Sequence, residues 1–309
     1  MITSRAVIGQ FYQALQQFVG ASWIDRASMY FPNADPLETY EWLGQVPGMR
    51  LWVGGRQPKE LADNIYQIQN EKYETTIDMP VSWLKNDKTG QVNLRVSELA
   101  QRPIAHWAQL ISTLILNGNS TTCYDGKNFF ATNHANSQKN LVTKTTVPAL
   151  QVTASTKPTA TEAIDAILGT IAHLQSFVDD QKEPMNSEAK GFVVMAAPAL
   201  WAYLVHATLG EIAAGGSSNV LKELSKQGYV IEAVPNPRLS AWTDMFVVLR
   251  TDALAKPFIR QEQEELTIAS KDETSEYAFD YDRVQFGVKA VRAAGYGLWE
   301  YAVRAQLST

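Results

Sequence analysis

The run GFVVMAAPALWAYLV, residues 191–205, is the longest apolar stretch of the chain and constrains its fold more than any other segment. A bilayer-spanning helix needs about 20 apolar residues. This run stops short of that length and carries Pro198, which cannot sit inside a continuous helix without removing a backbone hydrogen bond. It therefore reads as a buried strand, GFVVMAAP, entering a helix, ALWAYLVHATLGEIAA, which ends at a flexible tip, GGSSN (215–219). A helix over 161–179 precedes the strand, with Ile164, Ile167, Leu168, Ile171 and Leu174 on one side. Two strands follow, YVIEAVP and MFVVLR, and the whole makes a compact α+β unit.

Other elements enclose this unit in sequence. Val7, Phe11, Leu15 and Phe18 at helical spacing predict one amphipathic helix at the start. Pro32, Pro36 and Pro47 then punctuate an extended arm. Residues 49–83 read as a long β-hairpin, one limb MRLWVGGRQ and the other NIYQIQNEKYETTIDMPVSW. So polar a ribbon is marginal alone; it is either an ordinary edge hairpin or an excursion that packs on another subunit. A helical pattern spans 93–117, where Pro103 kinks it or starts a second helix, and Asn117 and Gly118 supply the stop. A turn-rich stretch follows, and then the Thr-rich segment 143–161, which reads as a polar linker and domain boundary. Strands return in FIRQEQEELTIAS and RVQFGVKAVRA, with an acidic turn, SKDETSEYAFDYD, between them. The order predicts a two-domain α+β architecture with one discontinuous domain.

The chain has 309 residues, with 27 Lys plus Arg against 32 Asp plus Glu, a net charge of −5. No basic surplus points to nucleic-acid recognition, so any contact with DNA is unspecific and local. Cys123 is the sole cysteine, which rules out an intrachain disulfide and suits a reducing compartment. No signal peptide is read at the N-terminus.

Candidate chemistry is thin. Cys123, Asp125 and His134 lie close in sequence, so a cysteine nucleophile with His134 as base has to be weighed against an inert buried thiol. His106, His134, His173 and His206 are scattered and form no pair at metal-ligand spacing; in the helices, a hydrogen-bonded structural role is expected for His106 and His173. Glu273, Glu276, Asp280 and Asp282 could hold a hard cation or form a solvated acidic turn. Gly126-Lys127 lacks the rest of a phosphate loop. No catalytic, cofactor-binding or metal-binding set is assigned.

Three stretches rise above this background: ETYEWLGQVPGMRLWVGGR (38–56), CYDGKNFFATNHA (123–135) and FGVKAVRAAGYGLWEYA (286–302). In that order and spacing, continued by ALAKPFIR (253–260), they resemble the major head subunit family of Mu-like phages and prophages. Asn133 is a departure, standing where the family pattern has an aspartate before the histidine.

The resemblance implies a Hong-Kong-97-like phage capsid fold. Its parts would be an N-terminal arm (1–48), an extended hairpin loop (49–83), a first peripheral portion with the spine helix (84–150), an axial domain (151–257) and a second peripheral portion (258–309). It also implies a shell of hexamers and pentamers around double-stranded DNA, with scaffold, portal and decoration proteins as partners, no membrane and no cofactor. A nanocompartment shell of the same fold and a cysteine hydrolase using Cys123 and His134 are the alternatives. Interface candidates are Arg56, Lys59, Glu60, Asp63, Glu71 and Lys72 of the hairpin, and the aromatic anchors Trp42, Trp52 and Trp299, for which core packing is the competing reading. Gly215, Gly216, Ser217, Ser218 and Asn219 are candidates to line a central pore.

Overall fold

The computed structural model describes residues 3–18, 23–32, 34–40, 43, 66–86, 90–179, 181–209 and 219–309. In chain order its helices are α1 (Ser4–Phe18), α2 (Trp23–Ala27), α3 (Val81–Asn86), α4 (Gln91–Asn117), α5 (Ala160–Gln175), α6 (Pro198–Leu209), α7 (Val220–Lys226) and α8 (Glu276–Tyr281). The first strands are β1 (Ser28–Pro32), β2 (Leu37–Tyr40), β3 (Tyr66–Gln69), β4 (Glu71–Pro80) and β5 (Leu141–Val142). The rest are β6 (Gly191–Ala196), β7 (Val230–Pro235), β8 (Met245–Arg250), β9 (Phe258–Lys271), β10 (Arg283–Tyr296) and β11 (Ala302–Gln306).

Two sheets organise these elements. The first runs β1-β9-β10-β4 and is built on the long antiparallel β9–β10 pair. Along β10 buried and half-buried residues alternate, as expected for a sheet with one covered face. That face meets the first half of α4 and the amphipathic α1: Val7, Phe11 and Ala14 pack with Val92, Val96, Leu99, Met79, Phe286 and Val288 in a small core. The second sheet runs β5-β11-β8-β6-β7. Its β6 is buried at every position, which is why GFVVMA shows no alternation in sequence. Helices α5 and α6 and the second half of α4, through Trp107, Ile111 and Ile115, share the larger core around it.

Helix α4 runs continuously through Pro103, so no second helix starts there. A proline inside a helix costs about 3 kcal/mol. Here the residues on its two sides are buried in different cores, so ending the helix would expose apolar surface in one of them. Gly118 caps the end because Phe130 leaves no room: a Cβ there would collide with that ring, and the Gly118 carbonyl accepts from the Phe130 amide at 2.7 Å.

Three boundaries differ from the sequence reading. Segment 143–161 is not a loose linker: Val147, Leu150 and Val152 are buried in the larger core, and β5 just before it pairs with β11. The returning portion 258–309 does not stay in one sheet, because after Tyr296 the chain turns at Trp299–Tyr301 and β11 joins β8 of the second sheet. The limb 66–83 is no single hairpin strand. It breaks at Asn70, whose amide donates to the Pro36 carbonyl at 2.9 Å; β3 pairs with β2, and β4 is an edge of the first sheet. The other limb, 49–57, lies outside the described residues.

Two glycines give opposite expectations for thermal unfolding of the unassembled subunit. On the exposed face of α1, a Cβ added to Gly9 would meet nothing within 4 Å, so Gly9→Ala should stabilise by about 0.5–1 kcal/mol. A Cβ on Gly297 would fall on the Lys256 carbonyl oxygen and against Pro257, so Gly297→Ala should cost about 1–3 kcal/mol.

Candidate assembly surfaces and the buried polar centre

Between α4 and β5 the chain has little regular structure, and side chains replace ladder hydrogen bonds. Asn140 is fully buried. Its Nδ2 donates to the Phe129 carbonyl at 2.7 Å, while Oδ1 accepts from the Ala131 amide at 2.8 Å and faces His134 Nε2 at 3.0 Å. That amide orientation makes Nε2–H a donor. His134 Nδ1 lies 2.6 Å from Asp125 Oδ2, and the imidazole stacks on Trp299 with ring centres 3.9 Å apart and planes 7° apart. Burial alone would raise the Asp125 carboxyl, but hydrogen bonds from His134, the Lys127 amide and the Cys123 thiol hold it below its ordinary value.

Glu300 sits next to this stack, fully buried. Both carboxyl oxygens accept from the Tyr124 hydroxyl, at 2.7 and 2.9 Å. Burial pushes the carboxyl up to about 7, against the opposing pull of Tyr124 and His134. The Glu300 carbonyl accepts from Asn186 Nδ2 at 2.9 Å, and Asn186 Oδ1 accepts from Arg250 Nη1 at 2.9 Å. The turn-rich loop, the end of α5, β8 and the start of β11 are thus tied together by polar side chains.

This geometry does not activate Cys123. A nucleophilic thiolate needs a lowered pKa and an adjacent base. Burial, and then Asp125, push the Cys123 thiol far above its ordinary range, and its hydrogen bond, 3.1 Å, goes to Asp125 Oδ1. The carboxylate bonds both the thiol and the imidazole. Asn133, the departure before His134, is exposed.

The acidic turn is also accounted for locally. Glu273 accepts from the Ser4 amide and hydroxyl at the start of α1, at 3.2 and 2.8 Å, and Asp272 accepts from Thr274. Among the described residues, no group of three or more His, Cys, Asp or Glu side chains could hold a metal ion, and no helix is long and apolar enough to cross a membrane. His173 Nε2 meets the Lys139 carbonyl at 2.7 Å, as expected for a structural histidine. His106 differs from that expectation: its Nδ1 is buried without a hydrogen-bond partner.

Of the surface candidates, Glu71 and Lys72 are exposed on the edge strand β4. Trp299 is not a surface anchor, since it is 1% exposed and its ring is occupied by His134 and Phe177. Asn219 is no pore-lining tip. It is buried as the N-cap of α7, its Oδ1 accepting from the Leu221 amide at 3.0 Å and its Nδ2 donating to the Ala207 carbonyl. Trp42, Trp52, Arg56, Lys59, Glu60, Asp63, Gly215, Gly216, Ser217 and Ser218 lie outside the described residues. Sequence reasoning missed Asn140, Asn186, Arg250 and Glu300; the last three have partners distant in the chain.

Glu300 sets a pH dependence. Its folded value of about 7 lies above the ordinary 4.5, so between those values the folded state holds a proton that the unfolded state releases. Stability should therefore fall as pH rises from 5 to 8, by roughly 3 kcal/mol for this group alone. Glu300→Gln should flatten that part of the profile; a melting temperature with the same pH slope in both proteins would refute the assignment.

Comparison with known proteins agrees with the fold. The family model described as "Mu-like prophage major head subunit gpT" matches residues 3–158 and 226–308. The major head subunit of the Mu-like prophage FluMu of Haemophilus influenzae is 31% identical over 96 residues, 31% of either chain. The major capsid protein of Escherichia phage Mu is 28% identical over 113 residues, 37% of either chain. The chain thus spans about a third of the length of these curated relatives in the matched stretches. Among solved structures, the procapsid of bacteriophage JBD30 aligns over 99% of this chain and 75% of its own, with a TM-score of 0.56 at 21% identity. The chain belongs to the Mu-like prophage major head subunit family and has the Hong-Kong-97-like capsid fold.

Proposed function

We propose that this chain is the subunit of a tailed-phage head, closing into hexamers and pentamers of an icosahedral shell around double-stranded DNA, and that it works through interfaces and carries out no catalysis. Family membership carries the reading. Two features of the subunit support it. A single helix, α4, joins both cores and gives a rigid body to tile. The β2–β3 pair sets Tyr40 and Tyr66, the described residues on either side of 41–65, opposite each other on the body. Arg56, Lys59, Glu60 and Asp63 within 41–65, and Glu71 and Lys72 on the edge strand β4, are suited to adjustable polar contacts with a neighbour. Head-to-tail contacts close into rings when the rotation per subunit permits. The proposed division remains an arm, an extended loop, a peripheral domain and an axial domain, with β11 reassigned to the axial sheet.

Scaffold, portal and decoration proteins are the proposed partners, contact with DNA is unspecific, and the shell is assembled in the bacterial cytoplasm to become part of the virion. The protonated, Asp125-bound Cys123 weighs against the hydrolase alternative. A nanocompartment shell would differ by loading cargo protein in place of DNA.

Negative-stain electron microscopy of the purified chain, with light scattering, tests the reading. Rings, tubes or closed shells are expected, and a variant lacking 57–64 should stay folded yet build none. A monodisperse monomer or dimer that persists with the scaffold protein added would overturn it.

A further inference from the structure

Two features of the first sheet are left uncovered among the described residues. One is a groove of about 700 Å³, open to solvent, between β4, β10 and α4. Its floor is apolar, with Pro103, Leu266 and Val288, and three guanidinium groups line it, from Arg102, Arg238 and Arg292. Arg292 is 4% exposed and lies over the Trp107 ring at 4.7 Å. Its ion pair with Glu262 is long, 3.9 Å, and its Nε has no hydrogen-bond partner. His106 also faces this groove with Nδ1 unpartnered; burial, and then Arg292, lower it to about 4, so it is neutral in the cell. One carboxylate, Glu74, lines the groove and is engaged by the Thr76 hydroxyl at 2.8 Å. In a chain of net charge −5 this is a concentrated positive site.

The other feature is the tip of the β9–β10 hairpin. There α8 presents Phe279, 90% exposed, and Tyr281, 64% exposed, flanked by exposed Glu276, Asp280 and Asp282. The tip is held firmly. Ser275 caps α8, Ala278 is buried, Tyr277 packs against Tyr281 and under Lys271, and Arg283 pairs with Asp78 at 2.6 Å. A rigid exposed aromatic with an acidic rim loses little freedom on docking. Eight strand residues, about 27 Å, separate Asp282 from Ala290 beside the groove, so a subunit's own tip cannot reach its own groove.

We propose that α8 of one subunit seats in this groove of a second copy, with Phe279 on the apolar floor and Glu276 and Asp280 against Arg102 and Arg238. The contact is heterologous, as head-to-tail assembly requires, and it rests on the shell-forming reading above.

Cysteine pairing tests it on the full chain, assembled with its scaffold protein if necessary. Tyr281→Cys with Gln109→Cys, the latter lining the groove, should give an intermolecular ladder on oxidation, at least tenfold stronger than Tyr281→Cys with Leu94→Cys, exposed elsewhere on α4. Adding Arg102→Glu and Arg238→Glu should abolish the ladder, and Glu276→Lys with Asp280→Lys should then restore it. Phe279→Ala should weaken the ladder without shifting the subunit's melting temperature. Shells seen by microscopy with a ladder no stronger than the control would overturn the pairing and leave the shell reading standing. Neither shells nor ladder would overturn both.

Discussion

Helix α4 is gripped at its two ends by two separate hydrophobic cores, and the arrangement of the subunit depends on that double grip. Val92, Val96, Leu99 and Ala100 belong to the small core under the first sheet, and Trp107, Ile111 and Ile115 to the large core around the second. At 27 residues the helix is about 40 Å long, close to the full reach of a small domain. Pro103 falls between the two sets of buried positions. The missing backbone hydrogen bond is therefore placed where neither core needs the helix to be stiffest.

The buried polar centre solves a different problem. A loop of more than twenty residues between α4 and β5 cannot satisfy its backbone by ladder pairing, and unpaired buried amides and carbonyls are costly. Asn140, Asn186 and the His134–Asp125 pair act in place of strands: Asn140 and His134 bond to groups within the loop, and Asn186 joins the end of α5 to Glu300. Burying Glu300 and Arg304 is expensive, and each is only partly compensated. What that cost gains is register: β11 follows directly after Glu300, and the network leaves one position in which it can enter the second sheet beside β8.

Most of the regular elements could be read from the sequence because periodicity reports burial. GFVVMAAP, MFVVLR and the α4 pattern each bury a face, or both faces, and the residues say so. The rest depends on pairings between distant segments. AVRAQ carries two long polar side chains in five residues and does not announce a central strand, yet β11 lies between β5 and β8. Segment 143–161 looked like linker because threonines outnumber its three buried apolar anchors. Trp299 suits a core and an interface equally, and its partner His134 lies 165 residues away in numbering, in the stretch 123–135. Asn219 did carry a local signal: an asparagine directly before the helical run VLKELSK is a cap before it is a loop tip.

The remaining exposed apolar side chains say how such a subunit can associate. Trp83 and Leu94 are half-exposed or more near the start of α4, Leu254 stands free before β9, Phe279 crowns the hairpin tip, and Val220 and Val230 lie on the far sheet. They are spread over both cores instead of forming one face. A permanent two-body interface would call for a large continuous apolar surface, so no single neighbour can bury these residues together. Several small contacts with several neighbours can. Each is weak in isolation, but once two are made the others become intramolecular and are reinforced by effective concentration. Association of this kind is weak for a pair of subunits and strong once several contacts close together.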